Sequence, residues 1–254
     1  VAREQIVIES YQFPSADAVL AAAQPAKDKK DHFTEQVQAD SMLACYTLTA
    51  AGMSVTVNRW TGDLDYLDVD GKPMLQDGYS VTPNFWRAPT DNDYGAGLQN
   101  RFHAWKDTPR KLKDVVISGN EAAKTIAVTY ELPRVKAQLT ITYTLDFRGE
   151  LIVREQLTVD KDAKEKPQLF RFGMQWVMPD DYTTVRFYGR GPNENYCDRH
   201  DSEHIGLYTQ QVSDQYWGYI RPQESGNKTD VRYWQMLDKA GKGLQFAATG
   251  AMEC

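Results

Sequence analysis

Hydrophobic and polar residues alternate along most of the chain after about residue 39. The clearest run covers residues 137–147, in which every odd position is apolar and every even position is polar. An alternation with a period of two predicts a strand with one buried and one solvent-facing side. Shorter runs with the same period occur at 54–60 and 125–130. We therefore predict that this part of the chain is built almost wholly of strands.

Short turn sequences separate these alternating runs. Gly119-Asn120 precedes the run at 125–130, and Arg148-Gly149 follows the run at 137–147 and leads into the apolar positions of 151–159. A third alternating set at 170–178 predicts another long strand. Long strands joined by short turns indicate antiparallel pairing. The predicted fold class is all-β, a large antiparallel β-sandwich.

Signals for helices are few. Leu98, Phe102 and Trp105 follow a helical spacing, which predicts one short helix over 98–106 after a polar loop. The segment 14–38 is rich in Ala, Lys and Asp and contains two prolines, so we interpret it as a linker with a short helix at 17–23. Residues 1–13, with a strand at 5–10, are predicted to end a preceding domain, and 39–254 to form the main domain.

Composition and charge exclude several classes of partner. The chain has 254 residues, 41% of them apolar and 25% charged, with a formal net charge of −6. This acidic balance argues against nucleic acid and against an anionic membrane surface as partners. No apolar stretch is long enough to span a bilayer. Cys45, Cys197 and Cys254 lack CxxC spacing, which argues against a structural zinc site and a disulfide framework. Cytoplasm and periplasm suit this composition equally.

A polar and aromatic string stands out at residues 84–93, which read NFWRAPTDND and are followed by Gly-Ala-Gly. Pro89 argues against a helix and the polar run argues against a central strand, so we predict an ordered loop at a strand end. A glycosidase needs two carboxylates that face each other across the scissile bond. Asp91 and Asp93 would point the same way in an extended loop. We therefore expect them to order the loop, with contact to a sugar or an ion as the alternative.

Two further strings have a similar character. Residues 188–199 read YGRGPNENYCDR, and residues 216–227 read YWGYIRPQESGN. The first of these lacks the GxGxxG spacing and the Lys-Ser/Thr ending of phosphate-binding loops. We expect it to pack beside the 84–93 loop through an ion pair of Arg87 or Arg199 with an aspartate, so that Arg199→Ala would loosen the domain. His200 and His204 have a spacing that could bind metal on a helix, but their context predicts a loop and no third ligand is evident.

Taken in order, the three strings resemble signature motifs of the C-terminal β-sandwich domain of bacterial, multidomain, retaining β-galactosidases of glycoside hydrolase family 2. The likeness covers the chain from about residue 39 onwards. It implies a galactose mutarotase-like supersandwich, and it implies that residues 1–13 end an immunoglobulin-like domain. The chain is accordingly expected to be a fragment, truncated at its C-terminus. Cys197 stands where that family usually has proline.

The resemblance also implies a role. The parent enzyme would hydrolyse terminal β-D-galactosides, with both catalytic glutamates and a divalent cation, Mg²⁺, in a barrel outside this chain. The chain itself would hold no catalytic residue, metal or cofactor. It would form the pocket wall and a gating loop at about 94–104, with Gly95 and Gly97 as hinges. The residues that we assign to the edge of the active site or to loop ordering are Trp86, Arg87, Asp91, Asn92, Asp93, Gly95, Glu194, Asn195, Tyr196, Asp198 and Arg199.

The expected partners are a β-galactoside, bound through the parent enzyme, and the catalytic barrel of the same polypeptide, with the parent a homo-oligomer. Two alternatives stay open at this point. The chain could be a stand-alone carbohydrate-binding module whose loop Tyr, Trp and Arg side chains bind a sugar. It could also be an aldose epimerase, in which case His204 and Glu224 are the candidate acid and base.

Overall fold

The structure is a computed structural model that describes residues 2–10, 36–161 and 168–254, with the backbone alone for 2–10. Sixteen strands lie within these residues. They are β1 (Ala2–Ser10), β2 (Gln38–Ser41), β3 (Cys45–Ala50), β4 (Met53–Asn58), β5 (Leu64–Val69), β6 (Lys72–Pro73), β7 (Thr82–Asn84), β8 (Lys111–Gly119), β9 (Ala123–Leu132), β10 (Ala137–Asp146), β11 (Glu150–Val159), β12 (Gly173–Gln175), β13 (Thr184–Gly191), β14 (His204–Gln211), β15 (Val231–Leu237) and β16 (Gly243–Met252).

The strands form one large sheet and two smaller ones. The large sheet has nine strands in the order β14-β13-β15-β16-β1-β11-β10-β9-β8, and its paired strands are antiparallel. Strands β2 to β6 form a five-stranded sheet in chain order, and β7 pairs with β12. Apolar side chains from the five-stranded sheet, such as Leu48 and Val55, share one core with Leu139 and Tyr143 of the large sheet. The prediction of an all-β sandwich is confirmed.

The alternating runs predicted at 54–60, 125–130 and 137–147 coincide with β4, β9 and β10, whose buried apolar residues belong to the core, although β4 ends at Asn58 and Trp60 is 68% exposed. Along β10 the buried residues are Ala137 and the four apolar residues at every second position after it. The hairpin predicted at Gly119-Asn120 joins β8 to β9, and the turn at Arg148-Gly149 joins β10 to β11. Period-two alternation thus located strands β9, β10 and β11 of the large sheet.

The prediction of a long strand at 170–178 is wrong. Only Gly173–Gln175 forms a strand there, and it pairs with β7 rather than with the large sheet. The apolar side chains of this segment do pack against the core, although they are only partly buried. The partner strand β7 is only three residues long, so the backbone pairing covers no more than Gly173–Gln175.

The single helix predicted over 98–106 is divided in the structure. Leu98–Arg101 is a short α-helix and His103–Trp105 is a turn of 3₁₀-helix. Phe102 stands between them with φ −100° and ψ 4°, which interrupts the helical path. Its buried ring meets Phe170 edge-on, with ring centroids 5.0 Å apart. Packing of an aromatic ring therefore accompanies the break that periodicity alone did not predict.

Strand β1 pairs with both β11 and β16, so the backbone of Ala2–Ser10 lies inside the nine-stranded sheet. This pairing places the segment with the strands of the predicted main domain. The division into 1–13, 14–38 and 39–254 stays a prediction, and the helix predicted at 17–23 lies outside the described residues. Among the helices that the structure describes, none combines the length and the apolar character needed to cross a membrane.

Candidate functional site

The first motif begins where β7 ends, and its acidic part is helical. Residues Asp91–Gly95 form a short α-helix, so the interpretation of this string as an extended loop is corrected. Thr90 is the N-cap, and its hydroxyl accepts a hydrogen bond from the Asp93 N–H at 3.3 Å. The Asp93 carboxylate accepts one in return from the Thr90 N–H at 2.7 Å. This capping box starts the helix directly after Pro89, where a proline is tolerated.

Arg87 and Asp93 form the most buried ion pair of this motif. The Arg87 guanidinium donates to the Asp93 carboxylate at 2.6 Å, and the two side chains are 18% and 8% exposed. Burial acts to raise the pKa of Asp93, but the hydrogen bonds from Arg87 and Thr90 outweigh burial and lower it. Arg87 also lies over the ring of Phe170 at 4.9 Å. Asp93 is therefore a charged structural acceptor.

Trp86 of the first motif packs edge-on against Phe170, with ring centroids 4.8 Å apart. At the far end of the motif, Gly97 has φ +69°, a left-handed conformation that favours glycine. Gly95 has no positive φ, and a Cβ placed there would meet open space. The backbone thus explains glycine at 97 but not at 95, and the hinge role of either glycine stays a prediction.

The second motif, which follows the β13 strand, centres on the carboxylate of Glu194. This side chain is 6% exposed and accepts a hydrogen bond from Arg199 at 2.6 Å. It also accepts from the Tyr219 hydroxyl and, at 2.7 Å, from the Gly226 N–H. Tyr219 and Gly226 belong to the third motif. One buried carboxylate therefore joins the second motif to the third.

Asn195 supplies a second connection. Its side-chain amide donates to the carbonyl groups of Arg190 and Asn193, each at 3.0 Å. Its side-chain oxygen accepts from the Thr229 N–H at 2.9 Å and from the Thr229 hydroxyl. Asn227 completes the connection, because its side chain donates to the Asn195 carbonyl at 2.8 Å. The fully buried Asn195 is thus satisfied at each polar atom of its side chain.

Two neighbours complete the second motif. Arg199 lies over the ring of Tyr196 at 4.6 Å, and burial raises the pKa of Tyr196 to about 12. Asp198 is exposed and accepts a hydrogen bond from the Asn92 side chain at 3.4 Å. Among the described residues, this hydrogen bond is the one that joins the first motif directly to the second.

The third motif links the first motif to the rest of the site. The Glu224 carboxylate accepts from the Ala88 N–H at 3.1 Å and from Arg171 at 2.8 Å. The Gln223 side-chain oxygen accepts from the Asp91 N–H at 3.0 Å. Arg221 lies 3.2 Å from the Asp91 carboxylate in an exposed pair. We call residues 84–97, 188–199 and 216–227 together the loop cluster.

The prediction that Arg87 or Arg199 would bridge the first two motifs is wrong. Arg87 does pair with an aspartate, but Asp93 belongs to the same motif, and Arg199 pairs with Glu194 of its own motif. The third motif and the hydrogen bond from Asn92 to Asp198 connect the two instead. Capping places the Asp93 carboxylate beside Arg87, and the short separation of Arg199 from Glu194 favours local pairing.

Sequence reasoning missed several residues that hold the site together. The sequence indicated no role for four residues, Arg171, Gln223, Asn227 and Thr229. It indicated Glu224 only as a candidate base of an epimerase. The available signal was the dense set of polar residues around the Pro and Gly of the third motif. That signal indicated an ordered loop without indicating its partners.

The residues considered for metal binding and for epimerase chemistry do not form a site in the structure. His204 lies on β14 and His200 in a turn before it, so the two do not share a helix face. Glu224, the other epimerase candidate, is engaged by Arg171 and Ala88. Within the part of the chain that the structure describes, no three His, Cys, Asp or Glu side chains come together as a metal site.

A cavity of about 1530 Å³ lies beside the loop cluster. Trp86, Arg87 and Glu224 line it from the cluster, and Phe172, Trp176 and Trp234 line it from the core side. Its wall therefore combines charged groups that are already paired with a broad aromatic surface. A cleft with this composition can hold a sugar or an apolar protein segment.

Comparison with known proteins gives a consistent family. Residues 49–253 match the sequence profile of the family described as β-galactosidase small chain. The chain is 33% identical over 240 residues to a β-galactosidase of Lactobacillus delbrueckii subsp. bulgaricus, which covers 91% of this chain and 23% of the relative. It is 30% identical over 253 residues to a β-galactosidase of Priestia megaterium, covering 98% and 23%. The chain thus spans about a quarter of the length of these curated relatives.

Proposed function

The chain belongs to the β-galactosidase small chain family, and from this membership we propose that it is one part of a larger β-galactosidase polypeptide. The whole polypeptide would hydrolyse terminal β-D-galactosides with retention of configuration. This part would form a wall of the sugar-binding pocket through the loop cluster. The observation that carries the proposal is the convergence of the three motifs at one site beside a large cavity.

The carboxylates of the loop cluster support a structural role over a catalytic one. Asp93, Glu194 and Glu224 each accept a hydrogen bond from an arginine and at least one from a backbone N–H. A glycosidase acid needs a raised pKa so that it can protonate the leaving group. The pKa of Asp93 is lowered instead. The catalytic glutamates of the parent would then lie outside residues 1–254.

The remaining parts of the proposal concern the parent enzyme. We propose that the parent uses a divalent cation, Mg²⁺, held in its barrel outside this chain. The barrel of the same polypeptide would contact the loop cluster, and the parent would be a homo-oligomer. The segment 94–104 would gate the pocket, since it carries the left-handed Gly97 and the interrupted helix at Phe102.

The test compares the 254-residue chain with the complete polypeptide in an aryl β-galactoside assay. We expect turnover by the complete polypeptide and none by the chain alone. Robust turnover by the chain alone would overturn the assignment of the catalytic groups to another part. A complete polypeptide that folds but cleaves no β-galactoside would overturn the proposed activity.

A further inference from the structure

The two edge strands of the nine-stranded sheet differ in sequence. Strand β8, at one edge, contains Lys111 and Lys113, and its pairing with β9 is interrupted by a bulge between Leu112 and Asp114. Lysines and bulges at an edge discourage pairing with a further strand. Strand β14, at the other edge, reads HIGLYTQQ, without a Lys, Arg, Asp, Glu or Pro, and it pairs with β13 in one unbroken register over its whole length. Strand β14 is therefore an edge that can accept a further strand.

The other sheets have shorter edges. Strand β2 has four residues, β7 and β12 have three each, and β6 has two and ends in Pro73. Short strands and prolines limit pairing at an edge. In the part of the chain that the structure describes, β14 is thus the long edge strand that lacks all of these devices.

The hydrogen bonds around β14 show which of its backbone groups face the free edge. In an antiparallel ladder, residues that bond to the neighbouring strand alternate with residues whose N–H and C=O point away from it. The Val212 N–H donates to the Thr183 carbonyl at 2.8 Å, which continues the register of β14 with β13 by one residue. Even-numbered residues therefore face β13. Gln211 agrees, because its N–H donates to the Asp214 side chain and its carbonyl accepts from the Gln215 side chain.

Three residues accordingly present backbone groups at the free edge. They are Ile205, Leu207 and Thr209, and among the described strands β14 has a neighbour on one side only. Their side chains are exposed on the outer face of the sheet, Leu207 to 56%. The large cavity does not extend to this edge, because none of the described residues of β14 lines it. The edge is therefore separate from the proposed sugar-binding pocket.

We propose that β14 pairs in antiparallel fashion with β14 of a second copy of the polypeptide, across a two-fold axis at Leu207. In this register Leu207 lies opposite the partner's Leu207, and Ile205 lies opposite the partner's Thr209. Each of the three residues then exchanges both of its free backbone hydrogen bonds. On the other face Tyr208 lies opposite the partner's Gly206, which has no side chain to compete for the space. The two nine-stranded sheets become one continuous sheet.

Charge favours a second copy over a strand of different sequence. Two copies of a chain with a net charge of −6 repel each other, and like charges opposite each other destabilise a strand pair. Strand β14 carries no acidic or basic residue other than His204. The cations beside it on β13 are engaged, since Arg186 donates to the Thr209 hydroxyl and Arg190 pairs with Asp230.

A two-fold contact of this kind is self-complementary and closes after two copies. The inference therefore names one contact of the homo-oligomer proposed for the parent enzyme, and it rests on that part of the proposed function.

A charge at the axis should break the contact. In the complete polypeptide, Leu207→Lys brings two ammonium groups together at the edge, and the exposure of Leu207 allows the fold to persist. Sedimentation velocity over a dilution series measures the dissociation constant of the two-fold contact. We expect it to rise by about 100-fold or more. The matched control is Val116→Lys, the same kind of change at an exposed residue of the other edge strand, which should leave it unchanged.

A second variant identifies the residues that meet, and it decides the case in which Leu207→Lys fails to fold. The two Cα atoms at position 207 would lie about 5.5 Å apart, a separation that a disulfide can span. Oxidation of Leu207→Cys with copper phenanthroline should therefore join two copies through the introduced thiols, as identified by peptide mass spectrometry. Val116→Cys should give no such product.

Several results would overturn the inference. They are a wild-type polypeptide that is monomeric at micromolar concentration, an assembly that Leu207→Lys leaves intact, and a Leu207→Cys variant that forms no disulfide or links to a different segment. β-Galactosidase activity of the wild-type sample tests the proposed activity separately, because an active monomer would overturn the strand pairing and keep the activity.

Discussion

The nine-stranded sheet and the loop cluster are stabilised in different ways. Strands β9, β10 and β11 of the sheet bury mainly apolar residues at every second position, and they follow each other along the chain. The loop cluster is joined by buried polar groups from segments more than 100 residues apart, such as Ala88 and Glu224. Apolar burial tolerates many sequences of similar pattern. The buried hydrogen bonds of the cluster require particular side chains, because an unpaired partner is costly.

The largest effect is expected in the sheet. Leu139 is fully buried on β10, between Tyr130 of β9 and Leu157 of β11. Leu139→Ala should lower the free energy of unfolding by about 2–5 kcal/mol, because it removes buried methyl groups and leaves a cavity. Urea unfolding followed by tryptophan fluorescence measures this change. A loss below about 0.5 kcal/mol would show that this part of the sheet does not carry the stability of the domain.

A slightly smaller effect with a different signature is expected in the cluster. Arg87→Ala removes the cation that pairs with the 8%-exposed Asp93 side chain. We expect a loss of about 3 kcal/mol, since the carboxylate stays buried without its partner. Hydrogen exchange should accelerate first at the amides of Thr90 and Asp93, whereas the amides of β10 keep their protection. Equally faster hydrogen exchange in the loop cluster and in β10 would contradict the claim that the cluster and the sheet are stabilised in different ways.

Asp93 also gives the cluster a defined dependence on pH. Its pKa in the folded chain lies below the ordinary value of 3.8, so its contribution is fully present above pH 3.8 and is lost as the pH falls through the folded-state value. We expect the stability difference between the wild type and Asp93→Asn to be constant near neutrality and to shrink in acid. Urea unfolding from about pH 6 to about pH 3 measures this difference. A difference that grows in acid would contradict the lowered pKa.

The smallest effect is expected at the surface of the same cluster. Arg221 and Asp91 form an ion pair whose side chains are 67% and 54% exposed. Arg221→Ala should lower the stability by about 1 kcal/mol or less, and this loss should disappear at high salt. Comparison with Arg87→Ala separates burial from charge, because both variants remove an arginine that pairs with an aspartate of the first motif. Losses of equal size would mean that burial does not set the strength of these pairs.

The sheet could be predicted from the sequence further than the cluster could. Period-two alternation located β9, β10 and β11, because a strand with one face on the core has apolar residues at every second position of its sequence. The same pattern failed at 170–178, because a strand also needs a partner and the one available, β7, is three residues long. Alternation reports which side chains are buried and does not report which backbone groups are paired.

Within the cluster, local signals were more informative than long-range ones. The helix at Asp91–Gly95 was missed although Thr90 and Asp93 have the spacing of a capping box. The bridging role of Glu224 had no such signal, because its partners Ala88 and Arg171 are set by the fold. The motifs indicated where the site lies, and the topology decided how its residues connect.

The most direct measurement of the central claim is kcat/KM for an aryl β-galactoside in the complete polypeptide carrying Glu224→Ala. Glu224 holds the first motif in place without being assigned to the chemistry, so its loss should displace the pocket wall and lower kcat/KM by about 10- to 100-fold. The control Glu131→Ala removes an exposed glutamate that pairs with Lys113 on the β8–β9 hairpin and should keep wild-type kcat/KM. Wild-type kcat/KM in Glu224→Ala, with faster hydrogen exchange at Ala88, would contradict the claim that the loop cluster forms part of the active-site pocket.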